Sequence, residues 1–97
     1  MRREDFVFCI GYEGSAAIVD LKMRARYGSL STRELAERGL YKQALCSAIW
    51  SKKPEELSEV LSIYNAHTDH PASSADQLLR FYGVTGVPDG VTKTTLV

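Results

Sequence analysis

The sequence predicts a small α+β domain, and three observations lead to this fold class. Apolar residues alternate on both sides of a turn near the N-terminus, which is typical of a β-hairpin. Helical periodicity with helix start and stop signals recurs between residues 30 and 83, and a strand-like segment follows. The 97 residues suit a single domain that spans residues 1–97. We therefore expect an N-terminal β-hairpin packed against three to four helices.

The composition is that of a folded domain without a strong net charge. Hydrophobic residues make up 44% of the chain and charged residues 25%, which is too apolar for disorder. The formal net charge is zero, so no broad basic surface for nucleic acid or membranes is expected. No apolar run approaches the roughly 20 residues that cross a bilayer, and we expect no membrane partner. Cys9 and Cys46 have apolar neighbours, which is typical of buried, reduced thiols in a cytoplasmic protein.

The hairpin is predicted from the segments DFVFCIGY and SAAIVDLK, which flank Glu13-Gly14. We interpret the basic start of the chain as part of the first strand and not as a leader peptide, because acidic residues interrupt it. Pairing the strands about Glu13-Gly14 places six apolar residues on one face, namely Phe6, Phe8, Ile10, Ala17, Val19 and Leu21. The other face is mixed and carries the pairs Val7–Asp20 and Asp5–Lys22.

The segment Leu21–Gly28 is ambiguous between strand and helix. Its apolar and basic residues alternate, which favours a strand with Lys22, Arg24 and Arg26 on one face. Its Lys, Met, Arg and Ala residues favour a helix by intrinsic propensity. Both interpretations end at Gly28.

The clearest helix start lies at Ser31. A serine can cap a helix, and Glu34 three residues later completes the spacing of a capping box. Leu30 and Leu35 occupy the two positions of a hydrophobic staple. Because Gly39 suits a left-handed helix end, a helix is predicted between Ser31 and Gly39.

Two further helices are predicted downstream. One runs from about Leu40 to Ser51. The other begins at Pro54, where a proline and two glutamates suit a first turn. Residues at helical spacing are expected to face inward: Tyr41, Leu45, Ala48 and Ile49 in one helix, and Leu57, Val60, Leu61 and Tyr64 in the other.

A fourth helix is expected after the loop NAHTDHPASS. Ser74 and Gln77 have capping-box spacing, and Gly83 suits the helix end. The segment 84–97 contains a turn at Pro88-Asp89-Gly90, and its last residues have strand-like composition. This segment either adds a third strand to the hairpin or stays a flexible tail. The inward positions of the fourth helix are Ala75, Leu78, Leu79 and Tyr82.

The segment STRELAERG, residues 31–39, resembles the opening helix of helix-turn-helix regulators. In that family a small residue packs between two helices and a glycine begins the turn. The alanine usually lies four residues before the glycine, whereas Ala36 lies three before Gly39. The resemblance implies a nucleic-acid-binding regulator whose recognition helix is residues 40–51. Its contacts would be Lys42, Gln43 and Ser47 on the exposed side, with Arg24 and Arg26 as a basic rim.

The segment GLYKQAL resembles the turn between the two helices of a tetratricopeptide repeat, with Gly39, Tyr41 and Ala44 at matching positions. No second copy follows at a period of about 34 residues. A single repeat cannot bury its own faces. The resemblance therefore implies a pair of packed helices here and not a repeat array.

Residues that carry catalysis or bind metals are sparse. His67, Asp69 and His70 cluster in the predicted loop, and two imidazoles with a carboxylate suit part of a metal site. Further ligands with suitable spacing are lacking. Cys46 falls in the middle of a predicted helix, which presents a nucleophile poorly. We therefore expect no cofactor and do not favour an enzyme.

A non-catalytic protein–protein interaction module is the function that the sequence favours. Trp and Tyr are enriched in binding hot spots, so Tyr41 and Trp50 are candidate anchors, although a core position for Trp50 is the favoured interpretation. Asp20 and Lys22 on the mixed hairpin face complete the candidate surface. A hairpin edge also suits pairing with a second copy. We therefore predict another protein or a second copy as partner, with nucleic-acid binding through residues 31–51 as the alternative.

Overall fold

The computed structural model describes all of residues 1–97. Helix-forming and strand-forming segments follow one another along the chain. It contains six helices and a three-stranded sheet, which confirms the α+β class. None of the helices combines the length and the apolar character that crossing a bilayer requires. In chain order the elements are α1 (Arg3–Val7), β1 (Cys9–Glu13), β2 (Ala16–Val19), α2 (Leu21–Tyr27), α3 (Thr32–Glu37), α4 (Tyr41–Ser51), α5 (Pro54–Ala66), α6 (Ala75–Tyr82) and β3 (Lys93–Leu96).

The contacts within the chain divide it into two units. The sheet unit consists of Met1–Ser29 and Val87–Val97 and contains α1, α2 and the three strands. The helical unit, Leu30–Gly86, contains α3 to α6. That the two units fold as one domain stays a prediction.

The sheet has the order β1-β2-β3, with β2 in the centre. β1 is antiparallel to β2, whereas β3 is parallel to it, with Ala16 opposite Lys93. A parallel pair needs a long crossover, and the chain between β2 and β3 supplies one. The predicted third strand is therefore present in the segment 84–97, where β3 forms an exposed edge.

The register of the hairpin differs from the prediction by two residues next to the turn and by one residue at Cys9, which lies opposite Val19. Tyr12, and not Ile10, lies opposite Ala17, and the turn is formed by Gly14 and Ser15. Gly14 has a φ of +59°, a conformation that a glycine adopts without steric cost. The pairing is irregular between Cys9 and Gly11, so Ile10 is 62% exposed and not part of the apolar face.

The start of the chain is a helix and not a strand, so the prediction for residues 5–8 was wrong. Asp5 lies in the first turn of α1, and its carboxylate accepts a hydrogen bond from the backbone N–H of Arg2 at 3.1 Å. Acidic side chains favour the positive end of a helix. Phe6, Val7 and Phe8 are all buried, which no alternating strand would allow.

The ambiguous segment after β2 is also a helix, α2. The side chain of Asp20 accepts a hydrogen bond from the N–H of Met23 at 3.1 Å and so caps the helix. A capping aspartate ends the strand before Leu21. The mixed hairpin face with Asp20 and Lys22 does not form, because these residues lie at the start of α2 and not in β2.

In the helical unit the local signals for helix ends are confirmed. Ser31 and Glu34 form the capping box, with side-chain to backbone distances of 3.2 and 3.1 Å. At Gly39, which has a φ of +78°, the N–H of Leu40 bonds the carbonyl of Leu35 at 3.0 Å. This pairing is characteristic of a glycine-terminated helix. Gly83 ends α6 in the same left-handed conformation.

The helix α4 is the most buried helix of this unit. Residues 44–48 are each at most 7% exposed. Because a turn takes 3.6 residues, five consecutive buried residues mean that the middle of α4 is covered on every side. Within the unit α4 contacts α3, α5 and α6.

Candidate interaction groove

The helix α6 presents an exposed aromatic ring beside an apolar groove. Leu78 faces inward and is 1% exposed, whereas Phe81, three residues later, is 73% exposed. A groove of about 450 Å³ lies against this helix. We call it the α6 groove; it is lined by Tyr64, Thr68, His70, Pro71, Ala72, Gln77, Leu78 and Phe81.

One wall of the α6 groove is the loop between α5 and α6, and Asn65 holds this loop in place. The side-chain amide of Asn65 donates to the carbonyl of Ala72 at 3.0 Å and accepts from its N–H at 2.9 Å. His70 donates its backbone N–H to the hydroxyl of Thr68 at 3.1 Å. The loop is therefore fixed by local hydrogen bonds, which leaves its Pro71 and Ala72 as preformed walls.

The start of α6 fixes Gln77 at the rim of the groove. Ser74 accepts a hydrogen bond from the N–H of Gln77 at 3.2 Å, which confirms Ser74 as the cap. The side-chain oxygen of Gln77 accepts from Ser73, from its N–H at 2.7 Å and from its hydroxyl at 2.9 Å. In the predicted capping box the Gln77 side chain would accept a hydrogen bond from the backbone N–H of Ser74, but it accepts from Ser73 instead.

Four aromatic rings connect the groove to α4. Tyr41 contacts Tyr64 edge-to-face with centroids 5.1 Å apart, and Tyr64 contacts Tyr82 in the same way at 6.5 Å. Phe81 and Tyr82 are 5.0 Å apart. Perpendicular packing of this kind is favourable for aromatic rings. Burial, and to a lesser extent the neighbouring Tyr64 and Tyr41, raises the pKa of Tyr82, so its hydroxyl stays protonated at neutral pH.

Two opposite charges accompany Phe81 on the exposed face of α6. Asp76 and Arg80 are both exposed and lie four residues apart. At 100° per residue they share one side of the helix with Gln77 and Phe81. The two side chains form no ion pair with each other or with the rest of the chain. Both charges are therefore available to a partner.

Of the four residues predicted to bind a protein partner, two lie in the helical unit and two in the sheet unit. Tyr41 and Trp50 are half-buried and lie near opposite ends of α4, about 13 Å apart along its axis. In the sheet unit, Lys22 is exposed, while the carboxylate of Asp20 is used as a helix cap. Phe81 was missed, although one signal pointed to it: it is aromatic but lies outside the predicted inward positions of its helix.

Of the five residues predicted to contact nucleic acid, three lie in the helical unit and two in the sheet unit. Lys42 is exposed and Gln43 half-buried, but Ser47 is 2% exposed, so its predicted place on the exposed side of α4 was wrong. The reason is that α4 is covered on every side at this point. Nε of Arg24 lies 3.1 Å from a carboxylate oxygen of Asp5. The guanidinium of Arg26 stacks over the ring of Tyr27, 5.2 Å from its centroid. Both arginines therefore already have partners within the chain.

The histidines and the aspartate of the loop make separate contacts. Nδ1 of His67 is 2.8 Å from the carbonyl oxygen of Ile63, and His70 lines the α6 groove. No group of three or more His, Cys, Asp and Glu residues is arranged to hold a metal ion, and Asp69 is therefore not part of such a group.

Comparisons of the chain with models of known protein families, with curated proteins and with solved structures find no match.

Proposed function

We propose that this chain is a small cytoplasmic, non-catalytic protein–protein interaction module that self-associates through the α6 groove. The observation that carries the proposal is the 73% exposure of Phe81 at the edge of an apolar groove. Exposing a large aromatic ring costs free energy, and exposed apolar patches commonly mark binding sites. An aromatic side chain that enters a pocket is also the usual energetic centre of an interface.

The shape of the surface favours a second copy as the partner. The groove and the ring that would fill it lie side by side on one face of α6. In a two-fold dimer the same patch is used by both copies. Each Phe81 then enters the groove of the other copy, against Pro71 and Leu78. Both rings are buried at once, and no additional partner surface is needed.

The charges on α6 also complement themselves. If two copies of α6 pack antiparallel across the two-fold axis, Asp76 of each copy lies near Arg80 of the other. Two symmetric ion pairs result, whereas a parallel arrangement would place like charges together. Exposed ion pairs each contribute only about 0–1 kcal/mol. Their main effect is therefore to select the antiparallel orientation.

Light scattering over a concentration series tests self-association. We expect the mass to rise from that of one 10.8 kDa chain towards twice that value. In Phe81→Ser the dissociation constant should rise at least about thirtyfold, which corresponds to a hot-spot loss of about 2 kcal/mol. Ile10→Ser is the matched control, because Ile10 is also exposed but lies in the sheet unit. A wild-type mass that stays at one chain throughout would refute the proposal.

A further inference from the structure

The end of α4 carries an unusual backbone conformation at Lys52. It is the one residue other than glycine with a positive φ, at 60°. A side chain makes this conformation less favourable, and helices commonly use glycine there. The chain itself does so at Gly39 and Gly83. Residues other than glycine in this conformation occur more often at ligand-binding and active sites than elsewhere.

Local hydrogen bonds fix the backbone around Lys52. The hydroxyl of Ser51 donates to the carbonyl of Ala48 at 2.9 Å and accepts from the N–H of Lys53 at 3.3 Å. The N–H of Lys52 itself reaches the carbonyl of Ala48 at 3.2 Å. The two lysines are therefore held between α4 and α5 on an ordered backbone.

Both lysines border a small cleft with an apolar floor. The cleft has a volume of about 210 Å³, less than the roughly 300 Å³ or more of sites for drug-sized ligands. It is large enough for an aliphatic side chain. We call it the α4–α5 cleft; it is lined by Ala48, Ile49, Lys52, Lys53, Pro54 and Leu57.

We infer that the α4–α5 cleft binds a partner peptide that combines aliphatic and acidic residues. An aliphatic side chain of the peptide enters the cleft against Ile49 and Leu57. Carboxylates on either side of it pair with Lys52 and Lys53, which are both exposed. The charge complementarity of this rim selects an acidic partner over a basic one.

The acidic residue Glu55, next to Pro54 in sequence, allows a further test of the charge preference. Glu55 follows Pro54 and is exposed, so its charge opposes an acidic peptide at this rim. Glu56 lies against Thr32, whose hydroxyl donates a hydrogen bond to its carboxylate, and is half-buried. Removing the charge of Glu55 should therefore strengthen binding of the peptide, which a purely apolar cleft would not show.

The α4–α5 cleft is a second surface, independent of self-association. It shares no lining residue with the α6 groove. Phe81→Ser should accordingly leave peptide binding unchanged, and a loss of peptide binding should leave the mass of the protein unchanged. Either proposal can then fail without the other.

Fluorescence anisotropy of the full chain with a labelled peptide of alternating leucine and glutamate tests the inference at low ionic strength. A matched peptide of leucine and lysine is the first control. We expect only the acidic peptide to bind. The double variant Lys52→Gly with Lys53→Gln should weaken its binding about fivefold to tenfold, as the loss of two rim charges implies. Lys42→Gln, which removes an exposed charge at the other end of α4, should have no effect.

The variant Lys52→Gly separates a loss of binding from a loss of folding. Glycine relieves the left-handed conformation, so the thermal midpoint should rise while binding of the acidic peptide falls. Loss of binding is then not a consequence of unfolding. Equal binding of the two peptides, binding of neither, or unchanged binding in the double variant would each overturn the inference. Binding of phosphatidylserine vesicles that depends on both lysines, with no binding of the acidic peptide, would also overturn the inference.

Discussion

The hydroxyl oxygens of Thr32 and Ser47 lie 2.7 Å apart in the interior of the helical unit. Thr32 also donates to the carboxylate of Glu56, so one threonine links α3, α4 and α5. Polar groups in an apolar interior are costly unless they are paired, and here each hydroxyl pairs with another polar group. The link therefore specifies how these three helices pack.

Removing Thr32 should destabilise the protein more than removing Ser47. Thr32→Val takes away a partner of both Ser47 and Glu56 and should cost about 2 kcal/mol of unfolding free energy, whereas Ser47→Ala should cost about 1 kcal/mol. Urea denaturation measures both values. Thr94→Val on the exposed strand β3 is the control and should change little. A larger cost for Ser47→Ala would contradict the central position of Thr32.

The capping box of α3 should lose its contribution in acid. Hydrogen bonds from the backbone and then the side chain of Ser31, with a smaller effect of the Arg38 charge, hold the pKa of Glu34 below its ordinary value. A lowered folded-state pKa means stability that is present above the unfolded pKa and is lost as the pH falls through the folded pKa.

The stability difference between wild type and Glu34→Ala should therefore shrink as the pH is lowered below the ordinary range of a glutamate. Urea midpoints at a series of pH values measure it. Thr94→Val, an exposed substitution on β3 that removes no charge, is the control and should show no comparable trend. A difference between wild type and Glu34→Ala that is constant down to strongly acidic pH would contradict the role of the box.

Replacing Lys52 by glycine should stabilise the protein. The left-handed conformation costs a residue with a side chain about 1–2 kcal/mol, and the extra unfolded-state entropy of glycine cancels about half of the gain. We expect a net increase of about 0.5–1 kcal/mol in unfolding free energy. Lys53→Gly is the control, since Lys53 has an ordinary extended conformation with a φ of −104°. Equal stabilisation by the two variants would show that the φ of Lys52 is not the cause.

The orientation of the proposed dimer can be tested by exchanging charges on α6. Asp76→Arg alone should weaken self-association about threefold to tenfold, because it places two arginines near each other. The double variant Asp76→Arg with Arg80→Asp should recover most of the affinity, since the two symmetric pairs form again. Light scattering gives the dissociation constants, and circular dichroism checks that α6 is retained. Failure of the double variant to recover affinity would argue against the antiparallel arrangement.

Binding to duplex DNA should be absent even at low salt. Of the residues that the helix-turn-helix resemblance implies, Ser47 is buried and Arg24 is paired with Asp5. Too few cations remain on α4 for several phosphate contacts. Fluorescence anisotropy with a random-sequence duplex at low and moderate salt measures this. Binding that weakens steeply with salt would revive the nucleic-acid alternative.

The sequence predicted the helix ends well, because those signals are local. Ser31, Gly39 and Gly83 each act through backbone groups within a few residues, so their effect does not depend on the rest of the fold. The start of the chain could not be predicted in the same way. Phe6, Val7 and Phe8 favour a strand by composition, and their burial within the sheet unit overrides that preference.

The candidate site was harder to predict than the fold. Exposure depends on which neighbours cover a side chain, and this is a tertiary property. Ser47 looked like a polar surface residue, yet it lies inside the helical unit with Thr32 as its partner. Phe81 looked like one more apolar residue of α6, yet 73% of its surface is exposed. Periodicity gives only the average direction of a helix face, and Phe81 lies just beyond that face.

The contact between Phe81 and the groove of a second copy is the central claim, and an isotope-filtered nuclear Overhauser experiment tests it most directly. A sample that mixes labelled and unlabelled chains reports only contacts between copies. We predict intermolecular signals from the ring of Phe81 to Pro71 and Leu78, which disappear on dilution below the dissociation constant. Intermolecular signals confined to the sheet unit, or none in a concentrated sample, would contradict self-association through the α6 groove.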